Sequence, residues 1–506
     1  MLQILSTSNE TSTGAELVQN GNFSEIGSDL VTNGDFSAEG INLVDNPNFT
    51  DTGSELITNG DFATDTDWVK EGLWEISGGS ANRVAEGVNS RFYQVGVVEA
   101  LKSYKLTFTI SAISAGAINQ VTLGGVGISG TWNTAETFTL YFTTVNTASC
   151  SITGDATFAG SIDNVSVKEL GADWTLGTGW SIGDSKAIST LQSGSKYLTQ
   201  SSVVESGKSY KVSFEVIDYT SGSVKATVSG DEGEARTGIG TYTEILNATG
   251  TSFSIKNQSG LFIGSVSNIS VQELGEGWAV QDGWSIGEDK AICDGSTNNA
   301  ISQALSLPVG NIKVTFKVED FTSGDLNLWL NLPTFTNPLQ ADANGDYEVY
   351  VTTTSGANNL YFYSVAFIGS VTNITVQELD PNGYWTIGTG WSIGTDKAIS
   401  TVTGSNSDIT QSILTAGKTY RTVYEIVDYT AGTAQAIVTG SDGADAVALG
   451  TFTEDLTTTG TDFSIRSKLG TFDGSVSSVS VKLLGTYDDQ SIYVTAADVQ
   501  TIAQAS

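Results

Sequence analysis

The side chains able to do chemistry in this 506-residue chain are mostly carboxylates: 56 Asp and Glu stand against 22 Lys and Arg, and there is no His. Without imidazole, the commonest general base and the commonest metal ligand are both missing. Cys150 and Cys293 have no cysteine partner at a matching repeat position and no base beside them, so they read as buried thiols and not as nucleophiles. What remains is an acid beside a ring, three times over: Asp218-Tyr219, Asp320-Phe321 and Asp428-Tyr429. A ring that stacks on the C–H face of a sugar, next to a carboxylate that accepts hydroxyl hydrogen bonds, is a pairing suited to glycan recognition. Paired carboxylates for glycoside hydrolysis would need two acids brought together with one pKa raised, and no spacing here does so. Repeated near-identical units argue for binding or structure, so no enzyme is expected.

These pairs close a strand. KVSFEVIDYTSG, from Lys211, alternates Val212, Phe214 and Val216 with Ser213, Glu215 and Ile217; KVTFKVEDFTSG from Lys313 and RTVYEIVDYTAG from Arg421 are its equivalents. Period-two alternation between Gly- and Ser-rich turns marks half-buried strands. Counting by two, Tyr219 falls on the face opposite Val212, Phe214 and Val216, which turns it outward if those three face a core. The first unit has Ala112-Ile113 there and should not bind. The structural alternative is a ring covering the neighbouring domain and an Asp capping a turn. Trp74, Trp180, Trp284 and Trp391, at strand starts beside alternating Ile and Ala, read as core or inter-domain packing.

Self-comparison sets the larger plan. WSIGDSKAI from Trp180, WSIGEDKAI from Trp284 and WSIGTDKAI from Trp391 recur, and each unit closes on VSVKEL, ISVQEL, ITVQEL or VSVKLL from Val165, Ile269, Ile374 and Val479. The closing motifs are 104, 105 and 105 residues apart. Four all-β sandwiches follow, at 55–170, 171–274, 275–379 and 380–485. Their links are so short that a stiff rod is expected, with units of about 35 Å and a length on the order of 140 Å. Ahead of them, in 1–54, a 13-residue repeat runs as ELVQNGNFSEIGS from Glu16, DLVTNGDFSAEGI from Asp29 and NLVDNPNFTDTGS from Asn42; the fourth copy, ELITNGDFATDTD from Glu55, enters the first sandwich and should supply its first strand. The other three have no evident sandwich and are expected to stack on each other or on neighbouring chains. In the tail, 486–506, a strand at Ser491–Val494 and a short helix from Thr495 (capped with Asp498) suit attachment or oligomerisation.

The formal charge of -34 repels nucleic acid and anionic lipid, and no apolar run approaches the roughly 20 residues of a membrane span. The opening MLQILSTSNE lacks the basic and apolar regions of a secretory signal.

The string L-[IV]-T-N-G-D-F, followed by Trp, then W-x-I, a Y-x-[LV]-[ST]-F strand and a closing [IV]-x-V strand, resembles the jelly-roll carbohydrate-binding modules appended to xylanases and related glycanases. It resembles more closely the arrays of such modules in marine bacteriophage structural proteins, over about residues 55 to 485. The resemblance implies a head fibre, decoration protein or tail fibre on the virion surface, touching other virion proteins and bacterial surface glycans, and a homo-oligomer, trimeric by analogy. It also implies a structural Ca²⁺, for which Asp61, Asp65 and Asp163 lie near the ends that would meet; without a DxDxDG run, such a site is assembled from distant segments. Sandwiches two to four lack an NGDF strand of their own, so a full ligand cleft is not expected in them. The alternatives are a ligand-free brick of a capsid, sheath or filament, and a secreted or cell-surface bacterial polysaccharide-binding protein.

Overall fold

The computed structural model describes residues 12–331, 335–353 and 359–485, so the tail expected from 486 lies outside the described residues. Almost all regular structure is β-strand, arranged as a multi-domain β-sandwich of jelly-roll type. The chain falls into two compact units: one takes the segment up to Gly34 and everything from Ala300, the other takes Asp35–Asn299.

In the second unit, sandwich 2 shows the plan. Ser209–Ser221 lies between Gly240–Asn247 and Ile263–Leu274 in one sheet, while Phe253–Asn257 is the middle strand of the other. Val212, Phe214 and Val216 turn inward, as their spacing requires, and meet Ala226, Val228 and Ile255. Each such side chain, fully buried, contributes about 1.5–3 kcal/mol. Sandwich 1 repeats this plan, and sandwich 4 repeats it in the other unit. In sandwich 3 the strands Gly310–Asn331 and Asn359–Leu379 are 22 and 21 residues long, with their mutual register broken between Glu319 and Asp325. Such bulges let one strand serve both layers of a sandwich.

The 13-residue repeats do not stack on one another. Each adds a short strand to a sandwich, and they are dealt out in reverse order. Ser12–Glu16 pairs with Asp473–Gly485 of sandwich 4, and Ile26–Asp29 with Asn359–Leu379 of sandwich 3. Glu39–Asn42 pairs with Ile263–Leu274 of sandwich 2, and Thr52–Glu55 with Ala159–Leu170 of sandwich 1, as expected for the last copy. Sandwiches 2 to 4 therefore do have an NGDF-type strand, drawn from far away in sequence. The partners lie so far apart, up to 465 residues between Glu16 and Val481, that no local pattern links them.

The four seats are built alike. A side-chain oxygen of Glu16, Asp29, Asn42 or Glu55 accepts the backbone N–H of Val481, Val376, Val271 or Val167 at 2.8–2.9 Å. A glutamine then makes a two-way bond to the arm backbone: Gln411 to Gln19, Gln303 to Thr32, Gln200 to Asp45 and Gln94 to Thr58. Next comes a tight turn. The carbonyls of Gly21, Gly34 and Gly60 accept from Val479, Ile374 and Val165 at 2.8–2.9 Å, and a Cβ there would lie 2.0–2.1 Å from a backbone oxygen of the sandwich. Pro47 holds this place in the third repeat, with a longer bond of 3.2 Å from Ile269. Finally Phe23, Phe36, Phe49 and Phe62 adopt left-handed φ of 51–57°, costly for a bulky residue, and are buried. Their rings meet Trp385, Trp278, Trp174 and Trp68 at centroid distances of 5.2–5.4 Å. Burial of the ring pair offsets the backbone strain.

Candidate functional site

The acid–ring pairs are tied into the fold. The pairing of Ser209–Ser221 with Ile263–Leu274 shifts register between Val216 and Asp218 and again after Tyr219, so the count by two that turned Tyr219 outward does not carry through. Tyr219 packs half-buried against the sandwich 2 core, its ring 6.5 Å from that of Phe262, and its hydroxyl donates to the Gly222 carbonyl at 3.1 Å. Asp218 accepts from Ser265 Oγ at 2.6 Å and pairs with Lys186 at 3.0 Å, which together hold its carboxyl below the usual range. Tyr429 repeats this against Phe472, bonding Gly432. Asp428 pairs with Lys397 at 2.7 Å and accepts from Ser475, again with a lowered pKa. Phe321 lies 6.1 Å from Phe367, and Asp320 accepts from Ser370 at 2.8 Å. In sandwich 1, Ile113 packs on the core where the ring stands elsewhere. The pairs thus brace the end of the central strand against the closing strand and, in sandwiches 2 and 4, against the lysine of the Trp hairpin.

Asp61, Asp65 and Asp163 each have local partners: Asp61 accepts from Ala63 N, Asp65 pairs with Lys70, and Asp163 accepts from Asn164 N at 2.6 Å. Among the described residues, no three His, Cys, Asp or Glu side chains gather as a metal site. Trp74, Trp180, Trp284 and Trp391 are buried. Cys150 and Cys293 are buried too, and burial pushes the Cys150 thiol up to about 12. None of the described helices is long and apolar enough to cross a membrane.

The feature that sets one sandwich apart is the outer face of a sheet in sandwich 3. Leu326, Leu328 and Leu330 point into the core, so Asn327 and Trp329 between them lie on the other face; Trp329 is half-buried there, while Asn327 is buried and paired with the Asn337 side chain at 2.9 Å. On the neighbouring strand Leu360 and Phe362 are buried and Tyr361 and Tyr363 face out, opposite Trp329 and Asn327. Trp329 and Tyr363 stack at 4.6 Å with 10° between planes, both half-buried. Asn359 Nδ2 donates to the Tyr361 hydroxyl at 2.8 Å, and Ser302 and exposed Gln340 border the patch through strand pairing. This is a row of rings with amide and hydroxyl groups and no charge among those named.

The seat glutamines fix which residues correspond. In sandwich 2 the places of Tyr363, Tyr361, Asn327 and Trp329 are held by Lys256, Ser254, Lys225 and Thr227; in sandwich 4 by Arg466, Ser464, Gln435 and Ile437. There the face is closed by ion pairs. Lys256 and Lys225 reach Glu232, with Lys256 also 5.7 Å over Tyr197, and Arg466 forks onto Asp408 at 2.8 and 2.9 Å. Sequence reading passed over Trp329, Tyr361 and Tyr363, although LNLWLN and NLYFYS carried a readable signal. Their alternation puts aromatic residues on the polar side, and alignment with KATV and FSIK exposes the change.

No protein-family model and no curated protein matches the chain. Solved structures that resemble it include the N-terminal CBM22-1–CBM22-2 tandem domain of Paenibacillus barcinonensis Xyn10C (12% identity, 43% of this chain, 97% of that one, TM-score 0.19). They also include the triple jelly-roll protein of an archaeal virus turret assembly (11%, 62% and 89%, TM-score 0.16) and Saccharomyces cerevisiae allantoicase (9%, 39% and 82%, TM-score 0.18). At these scores the likenesses carry no argument about function.

Proposed function

We propose that this is a non-enzymatic structural and adhesion protein of a bacteriophage particle, a head fibre, decoration protein or tail fibre whose third sandwich engages host surface glycans. The observation that carries the binding role is the uncharged Trp329–Tyr363 stack with Tyr361 beside it on an outer sheet face. Rings supply stacking area for sugar C–H faces, and the bordering amides and hydroxyls supply both donors and acceptors. The virion setting rests on the resemblance of the repeated motifs to phage module arrays. Many weakly binding copies on one particle hold a cell through avidity.

Glycan-array binding and affinity electrophoresis in bacterial polysaccharides test this. The intact chain is retarded by at least one polysaccharide, Trp329→Ala with Tyr363→Ala abolishes the retardation, and Tyr219→Ala with Tyr429→Ala leaves it. Retention that survives the first pair and fails with the second returns the site to the acid–ring pairs. No binding by the intact chain favours the ligand-free brick, a reading supported by the ion-paired faces of sandwiches 2 and 4.

A further inference from the structure

We infer that the arm seats are exchange sites between copies of this chain: a repeat of one protomer docks on a sandwich of another, and copies are linked by swapped arms. The ground is that the seats do not discriminate. All four use an oxygen acceptor for a closing-strand Val N–H, the same two-way glutamine bond, and the same Phe–Trp contact, with bond lengths that agree within a few tenths of an ångström. Nothing in a seat recognises a repeat as belonging to its own chain. Only the tether does that, and the tether is longest where it matters most, with 465 residues between Glu16 and Val481.

Synthesis order widens the opening. Glu16 is made 465 residues before the strand that receives it is completed, which at about 5–20 residues per second is on the order of 20–90 s. The receiving strand for Glu55 follows after only 112 residues. During that interval the first three repeats, on chains growing side by side, are ligands without their own sandwiches, and any completed sandwich edge accepts them by strand addition. A swapped arm makes every contact that a self-docked arm makes, so exchange costs association entropy and little else.

The register partners Thr13 and Leu484 allow a direct test on the full chain. Two differently tagged forms, one Thr13→Cys and one Leu484→Cys, are co-expressed, oxidised and purified through both tags. A single chain carrying both substitutions reports self-docking, and a control pair places the second cysteine at exposed Val402. The expected result is an internal cross-link in the double variant, together with cross-tag disulfide dimers several-fold more abundant than in the Val402 control, mapped by mass spectrometry to residues 13 and 484. Cross-tag dimers at the control level beside an efficient internal cross-link overturn exchange. Failure of both the internal and the cross-tag link overturns the seat itself, whereas cross-tag dimers without an internal link mean complete exchange.

Discussion

The arm seats and the outer sheet faces belong to the same strands, one residue apart, yet they have diverged to opposite extents. Gln303 bonds the arm backbone just as Gln200 and Gln411 do, while its neighbour Ser302 borders a row of rings that sandwiches 2 and 4 replace with ion pairs. In a strand of period two, adjacent residues answer to different constraints. A seat residue is enclosed, so a change leaves a cavity or an unpaired polar group. The face ion pairs reach part-exposed carboxylates such as Glu232, where salt bridges contribute only about 0–1 kcal/mol and can be traded for other chemistry. Specialisation should therefore be sought on the faces, and shared architecture in the seats.

The strongest way to break this contrast is to empty a seat. Phe49→Ala removes a buried ring packed on Trp174 and should cost sandwich 2 about 3–5 kcal/mol. Scanning calorimetry should then show one transition moved down and the rest unchanged. Phe62→Ala should do the same to sandwich 1. If either substitution leaves every transition in place, the ring is not holding its sandwich and the seats are not equivalent.

A milder change asks how much of the seat is polar. Gln200→Ala strands the Asp45 N–H and C=O in a partly buried groove, a loss of about 1–3 kcal/mol, read as a smaller shift of the same transition. On the outer face, Lys256→Ala should shift it by less than either, since its partner Glu232 is 43% exposed and keeps Lys225 when Lys256 is gone. A face substitution that costs as much as the seat substitution would end the proposed division of labour.

The sandwiches were legible because their signal is local: alternation such as Val212, Phe214 and Val216, turn residues, and a motif recurring at about 105 residues. The arm was half legible. Its 13-residue period and its Phe anchors stand out, but nothing in Glu16 names Val481 as its partner, because strand pairing at that distance is written only in shape and hydrogen bonding. The acid–ring pairs show a different shortfall. Their recurrence was visible, but the register shift after Val216 that turns Tyr219 onto Phe262 depends on the facing strand. Trp329 and Tyr363 lay in plain alternation and needed only a residue-by-residue comparison among the four units.

The smallest effect is a pH dependence at an exposed pair. Lys397, with the hydroxyl of Ser475, holds the Asp428 carboxyl below the ordinary Asp value near 3.9, so folding favours the ionised form. That contribution is fully present above the unfolded-state pKa and is lost as pH falls through the lower, folded value. The Asp428 side chain is 58% exposed, so solvent screening keeps the gain under about 1 kcal/mol. Asp428→Asn should therefore lower the sandwich 4 transition slightly at pH 6, and the wild-type and variant curves should draw together as pH drops below about 4. A difference that grows on acidification would mean that the pair is strained and not bracing, and that the end of the central strand is held by the Tyr429–Phe472 contact alone.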